Sequence, residues 1–200
     1  MTKGTLGKLG RDYNPQRTEE EVLKSWQTNQ SYQKTKKKLL NRPKFYFLDG
    51  PPYVTNVPHV GLAWNKSLKD VVIRYWRMKG YNVRDQPGYD CHGLPIEVLV
   101  EKSLKVESKK DIENALGITR FIEECKKYAR HYAEAQTKVF KNLGVWMDWD
   151  RPYITYEDSY IESVWWTIKR ADEKKTPLKG IARCPMVSPL RNSPGRVRGH

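Results

Sequence analysis

Residues 45 to 66 read Phe-Tyr-Phe-Leu-Asp-Gly-Pro-Pro-Tyr-Val-Thr-Asn-Val-Pro-His-Val-Gly-Leu-Ala-Trp-Asn-Lys. The strand-forming run Phe45 to Leu48 stops at Asp-Gly-Pro-Pro, and a helix-compatible register begins at Pro58-His59 and continues to Lys79. The stretch therefore predicts a strand, a loop and a helix. In open α/β folds such a junction lies at the carboxyl edge of a parallel sheet, where ligands bind and the unsatisfied N–H groups of a helix start attract phosphate.

Working outward, Tyr81-Asn82-Val83-Arg84 reads as a second strand. The stretch 86–95 holds two prolines and two glycines, which makes it a loop, and Pro95 is placed to open the next helix. The order strand, helix, strand, loop, helix is a βαβ unit, so loops 49–58 and 86–94 are expected to leave the same sheet edge. The fold class is α/β, the first half of a Rossmann-like nucleotide-binding fold with a parallel sheet and additional α-helices. Upstream, residues 1 to 17 are expected to be mobile, with a helix starting at Thr18 and burying Val22, Leu23 and Trp26. The run Lys34 to Lys38, like Lys66 and Lys69, is expected on a solvated face. Downstream, the pattern predicts a short helix over 108–116, a long one over 118–143 ended by Gly144, and another over about 156–174 that buries Ile161, Val164, Trp165 and Ile168; Trp165 and Trp166 are taken as core.

The chain of 200 residues is long enough to bury a core. No apolar run approaches the ~18–20 residues of a membrane span, and the first residues lack the apolar centre of a signal peptide. Cys91, Cys125 and Cys184 show neither pairing nor metal-ligand spacing. These features predict a cytoplasmic protein with no membrane association. Net charge is +14, which favours contact with a polyanion, although Lys179, Arg183, Arg191, Arg196 and Arg198 supply five of those charges from a tail with no acid.

The two loops carry His59, Gly61, Asn65 and Asp90, and this combination resembles the class I aminoacyl-tRNA synthetases. Their first signature, Pro-x-x-His-Ile-Gly-His or a variant, stands here as Pro58-His59-Val60-Gly61-Leu62. Gly50-Pro51-Pro52-Tyr53 precedes it, Lys69-Asp70 and Arg74-Tyr75 follow, and Asp90-Cys91-His92-Gly93-Leu94-Pro95-Ile96-Glu97 looks like the isoleucine-specific members. Valine-specific members read roughly Thr-Asp-His-Ala-Gly-Ile-Ala at that place and leucine-specific ones roughly Trp-Asp-Ala-Phe-Gly-Leu-Pro. The likeness covers about residues 11–175.

The resemblance implies ATP-dependent activation of isoleucine, with Mg2+ accompanying ATP, and transfer to tRNA(Ile) by a monomer. It implies Pro58, His59, Gly61, Leu62 and Asn65 for ATP, with His59 and Gly61 central to catalysis, and Gly50, Pro51 and Asp90 for the amino acid. Leu62 replaces the second signature histidine, which puts one phosphate contact in doubt; Asn65, one turn later, is a candidate substitute. Asp90 has an alternative role as a cap for the helix near Pro95, and His59 as an ordinary capping histidine. Adjacent Cys91 and His92 are poorly placed to chelate one ion together. A non-catalytic RNA-binding module and a valine- or leucine-specific enzyme stay open as alternatives. A nucleotide-dependent oxidoreductase is disfavoured because no Gly-x-Gly-x-x-Gly follows the strand.

The expected organisation is a helical extension over 1–43, the N-terminal half of a catalytic domain over 44–175, and a disordered tail over 176–200. From Pro177 onward there are four prolines, no aromatic residue and no acid. Codons compatible with residues 176–199 can be read one nucleotide later as a family-like continuation containing Trp-Cys-Pro-Arg-Cys, the opening of a zinc-binding insertion, so zinc is expected only there. Met186-Val187 forces the tryptophan in that reading. A single-base shift in the A-rich codons near Lys174-Lys175 is therefore expected in the nucleotide sequence, and an unbroken frame with no synthetase-like sequence beside it would refute the shift.

Overall fold

The computed structural model describes residues 13–106 and 108–174. Helix α1 spans Pro15–Thr28 and α2 Ser31–Leu39. Strand β1, Lys44–Tyr46, is followed by α3, Val60–Met78, and β2, Asn82–Arg84. Strand β3, Gly88–Tyr89, leads to α4, Leu94–Leu104. One turn of α5, Lys109–Asp111, runs into a π-helical turn over Ile112–Leu116; then come α6, Ile118–Asn142, β4, Tyr153–Ile154, and α7, Asp158–Glu173.

β1 and β2 pair in parallel with Lys44 opposite Asn82 and Tyr46 opposite Arg84, and α3 joins them. This is the βαβ unit expected from the strand, helix, strand order, and the fold is mixed α/β with short parallel strands. A second parallel pair, β3 with β4, was not legible: Gly88-Tyr89 sits inside the stretch read as loop. Two residues between proline and aspartate carry no alternating pattern, so only their partner reveals them. Gly88 meets this partner closely, because a Cβ there would lie 2.0 Å from the Tyr153 ring.

The core has two parts. Val54, Tyr89, Cys91, Ile96, Val100, Ala129 and Ala133 form one, between the loops, α4 and α6. Ile73, Val83, Val145 and Met147 form the other, under α3 and β2. Trp149 packs against both, and its indole N–H donates to the Val145 carbonyl at 3.1 Å.

The N-terminal helices depart from expectation. α1 begins at Pro15, not Thr18: the Asn14 side chain accepts from the Arg17 N–H at 3.1 Å, while the Thr18 hydroxyl donates back to the Asn14 carbonyl. A proline in the first turn, with an asparagine cap before it, outcompetes the threonine. Nor is the lysine run wholly solvated. Lys36 reaches Asp85 at 3.3 Å and Asp148 at 3.0 Å, and the Tyr32 hydroxyl donates to Asp85 at 2.5 Å. Trp26 meets Trp146 edge to face at 5.1 Å, with the Arg74 guanidinium 4.3 Å from the Trp146 ring.

The expected core role of α7 is corrected. Ile161, Val164, Trp165 and Ile168 do lie at helical spacing, but they are 43%, 43%, 66% and 42% exposed, and Trp166 is 59% exposed. The stripe is amphipathic as read, yet among the described residues no element covers it. The proposed tail over 176–200 lies outside the described residues.

Burial pushes the Asp148 carboxyl up, but hydrogen bonds from Lys36 and Arg151 outweigh this and hold it below the ordinary carboxylate value of 3.8. A depressed folded value means that this contribution to stability is complete above the unfolded value and is lost as pH falls through the folded one. Asp148→Asn is therefore expected to lower Tm at neutral pH, with the difference beginning to shrink near about pH 4 and vanishing only below the depressed folded value. A Tm difference independent of pH would show that the charge contributes nothing.

Candidate functional site

The loop after β1 is organised by a buried carboxylate. Asp49 is fully buried and pairs with Lys66, which is 1% exposed, and with Lys69 at 2.8 Å. The Gly88 N–H donates to Asp49 at 3.1 Å, and Lys69 also donates to the Gly50 carbonyl at 3.0 Å. The Tyr153 hydroxyl donates to the Asp49 backbone carbonyl, and burial followed by the Asp49 charge pushes that phenol up to about 12. Four elements thus converge on one residue: the β1 loop, α3, β3 and β4.

The expectation that Lys66 and Lys69 are solvated is therefore wrong. Lys66 and Lys69 are i and i+3 on α3, so both point to the loop. Burial pushes Lys66 down and Asp49 opposes that shift. The signal was an acid at the strand's end and two lysines at helical spacing on the following helix; nothing local shows that they meet.

The two sequence-predicted loops are brought together. The Val54 N–H donates to the Asp90 carbonyl at 3.1 Å, and the Asp90 N–H donates to the Pro52 carbonyl at 2.9 Å. This parallel bridge, Tyr53 to Asp90, joins the second loop to the first at Pro52 to Val54. From behind, Gln136 of α6 donates to the Tyr53 and Asn56 carbonyls, both at 2.9 Å, and the Tyr128 hydroxyl to the Thr55 carbonyl at 2.9 Å. Gln136 and Tyr128 fall within the long helix expected over 118–143, and their role depends on a fold contact no motif encodes.

Asp90 does not cap α4, whose start is Gly93 with no side-chain cap. Its carboxylate lies half-buried, and His92, 3.9 Å away, is beyond hydrogen-bond distance. Thr155 holds the loop beyond it: its hydroxyl accepts from the Cys91 N–H at 2.9 Å and lies 2.7 Å from His92 Nδ1. Burial, then the Asp90 charge, pushes the Cys91 thiol up to about 12, so Cys91 is a packing residue.

His59 caps α3. Its Nδ1 accepts from the Gly61 N–H at 3.1 Å, which places the ring proton on Nε2. The Leu62 and Ala63 N–H groups both turn back to the His59 carbonyl, at 2.9 and 3.2 Å. The backbone donors of this helix start are thus largely used, and the exposed imidazole offers its Nε2–H in their place. Gly61 has a local reason to be glycine: a Cβ there would lie 2.9 Å from His59 Cε1 and 3.0 Å from Nδ1. Pro58 and Leu62 are half-buried, and Gly61, Asn65 and Gly50 are exposed. Among the described residues no hydrogen bond joins His59 to Asp90. Nor does any group of three His, Cys, Asp or Glu converge on a metal position, and no helix is long and apolar enough to cross a membrane.

Residues 21–185 match the family described as tRNA synthetases class I (I, L, M and V). The chain belongs to this family. The class I match runs past residue 175, the boundary expected from the change in composition. Curated relatives include the isoleucine-tRNA ligase of Thermococcus kodakarensis, 54% identical over 164 residues, and that of Methanothermobacter thermautotrophicus, 48% identical over 178. These alignments cover 82% and 88% of this chain but only 15% and 17% of the relatives. Among solved structures, an Agrobacterium radiobacter K84 LeuRS, in a ternary complex with tRNA and LeuAMS, matches 82% of this chain and 18% of its own with a TM-score of 0.57 and 18% identity. That likeness supports the class I catalytic fold.

Removing Lys66 leaves the buried Asp49 carboxylate with Lys69 and the Gly88 amide as its remaining partners. Because Lys69 still pairs with Asp49, Lys66→Met is expected to cost less than the ~3–5 kcal/mol of an uncompensated buried charge in urea unfolding, and adding Asp49→Asn to recover part of that loss. A double variant no more stable than Lys66→Met alone would show that the pair is not what the substitution breaks.

Proposed function

We propose that this chain is the first part of an isoleucine-tRNA ligase catalytic domain, spanning about 15% of the length of its curated relatives. The reaction joins isoleucine to AMP: the amino-acid carboxylate attacks the α-phosphate of ATP, accompanied by Mg2+, and pyrophosphate leaves. Positioning and stabilisation of spread negative charge dominate such chemistry. Transfer to tRNA(Ile) follows in the complete enzyme.

The observation that carries this reading is the Tyr53 to Asp90 bridge. It joins the loop of Asp90, whose carboxylate accepts no hydrogen bond among the described residues, to the loop that carries Gly50 and Pro51, which supports Asp90 as the partner of a substrate ammonium. His59 Nε2–H is the donor for phosphate oxygens, and the Gly61 N–H bound to its other nitrogen polarises the ring in that direction. Gly61 leaves the helix start open to a nucleotide, and Asn65, on the exposed side one turn on, is a further polar contact. Leu62 supplies no donor. Gln136 and Tyr128 hold loop 53–56 and act through it as positioning residues.

The test is ATP–pyrophosphate exchange by the frame-restored, full-length protein. Isoleucine is expected to support exchange far better than leucine and, by the ~1–3 kcal/mol that one methylene is worth, better than valine. Asp90→Ala is expected to raise the isoleucine KM and His59→Ala chiefly to lower kcat, each by about 2–3 kcal/mol of transition-state binding. The 200-residue chain alone is expected to give no exchange. Preference for valine or leucine would overturn the substrate assignment.

A further inference from the structure

The pairing of β3 with β4 runs on past Tyr89 to the loop of Asp90. The Tyr153 N–H donates to the Pro87 carbonyl at 2.9 Å and the Thr155 N–H to the Tyr89 carbonyl at 3.2 Å. A parallel ladder would next pass the Cys91 N–H to a backbone carbonyl. Here the Thr155 hydroxyl takes it, at 2.9 Å, and the same oxygen lies 2.7 Å from His92 Nδ1. On the other side, the Asp90 N–H and carbonyl bond to Pro52 and Val54. Successive residues of an extended segment turn their backbone groups to opposite sides. Asp90 is therefore held by the first loop, and both its neighbours are held by Thr155.

Thr155 is 4% exposed, and a buried hydroxyl needs an acceptor for its proton. Its oxygen already takes the Cys91 N–H, and the acceptor in reach among the described residues is His92 Nδ1. The hydroxyl therefore donates to Nδ1, and the ring proton sits on Nε2. Nδ1 is also the ring nitrogen that lies 3.9 Å from an Asp90 oxygen. With its lone pair engaged by Thr155, it carries no proton that could close onto the carboxylate. That accounts for an acid and a histidine two residues apart that do not hydrogen-bond.

We propose that Thr155 is a positioning residue of the amino-acid site: by holding Cys91 and His92 it fixes the Asp90 carboxylate and keeps it free for a substrate ammonium. The inference deepens the ligase reading and rests on it. Being buried, Thr155 acts through Asp90. Removing its hydroxyl strands the Cys91 N–H and releases Nδ1 to take up a proton and turn to Asp90, in competition with the ammonium.

The test is ATP–pyrophosphate exchange by the frame-restored, full-length protein, with circular dichroism checking the fold of each variant. Thr155→Val is expected to raise the isoleucine KM about tenfold and to leave the ATP KM within about twofold. Thr155→Ser keeps the hydroxyl and is expected to stay within about threefold of the unsubstituted isoleucine KM. If Thr155→Val does not fold, Thr155→Ala takes its place, since it differs from Thr155→Ser by the hydroxyl alone. The double variant Asp90→Ala, Thr155→Val is expected to be no worse for isoleucine than Asp90→Ala, because both changes act on one carboxylate. Equal rises in the isoleucine and ATP KM, additive effects in the double variant, or a Thr155→Ser variant as impaired as Thr155→Val would each make Thr155 a packing residue and overturn the proposal. Exchange that is present in the unsubstituted protein and unchanged in Thr155→Val overturns this inference alone. No exchange with any amino acid by the unsubstituted protein overturns the ligase reading and this inference together.

Discussion

A carboxylate with no access to water must be paired, and Asp49 meets that requirement by drawing three other parts of the chain to its own loop. Lys66 and Lys69 fix α3 against the loop, the Gly88 amide fixes β3, and Tyr153 closes over from β4. Burying these ions has a desolvation cost that ordinary apolar packing would avoid. What it supplies is direction: Gly50 and Pro51, the next two residues, leave the sheet along one path, with α3 starting nine residues on.

Around that centre the candidate site is supported from behind and open in front. Gln136 and Tyr128 hold the carbonyls of loop 53–56, and backbone hydrogen bonds splice it to Asp90. His59 satisfies the helix start and redirects its donor capacity outward through Nε2. The same chain leaves α7 with its apolar stripe uncovered among the described residues.

Much of this was legible beforehand because it is local. Strand, loop and helix follow from periodicity and from Asp-Gly-Pro-Pro, and Gly144 and Pro95 mark helix ends by known backbone preferences. The motif around His59 and Asp90 pointed to the family later shown by the match over 21–185. Reading failed where a residue's environment is set by distant chain. Lys66 on an amphipathic helix looks like any surface lysine, Trp165 like any core tryptophan, and Gly88-Tyr89 like loop.

By itself, the sequence determined the βαβ order, the two loops that carry the candidate residues, and the membership those residues signal, since each rests on short-range periodicity, turn chemistry or motif spacing. Only the tertiary structure decided which charges are buried, which aromatics are uncovered, and that Asp90 is spliced to Tyr53 rather than capping a helix. Burial and pairing depend on which segments meet after the chain closes on itself, and the residues concerned are separated by 17 positions between Asp49 and Lys66 and by 112 between Lys36 and Asp148.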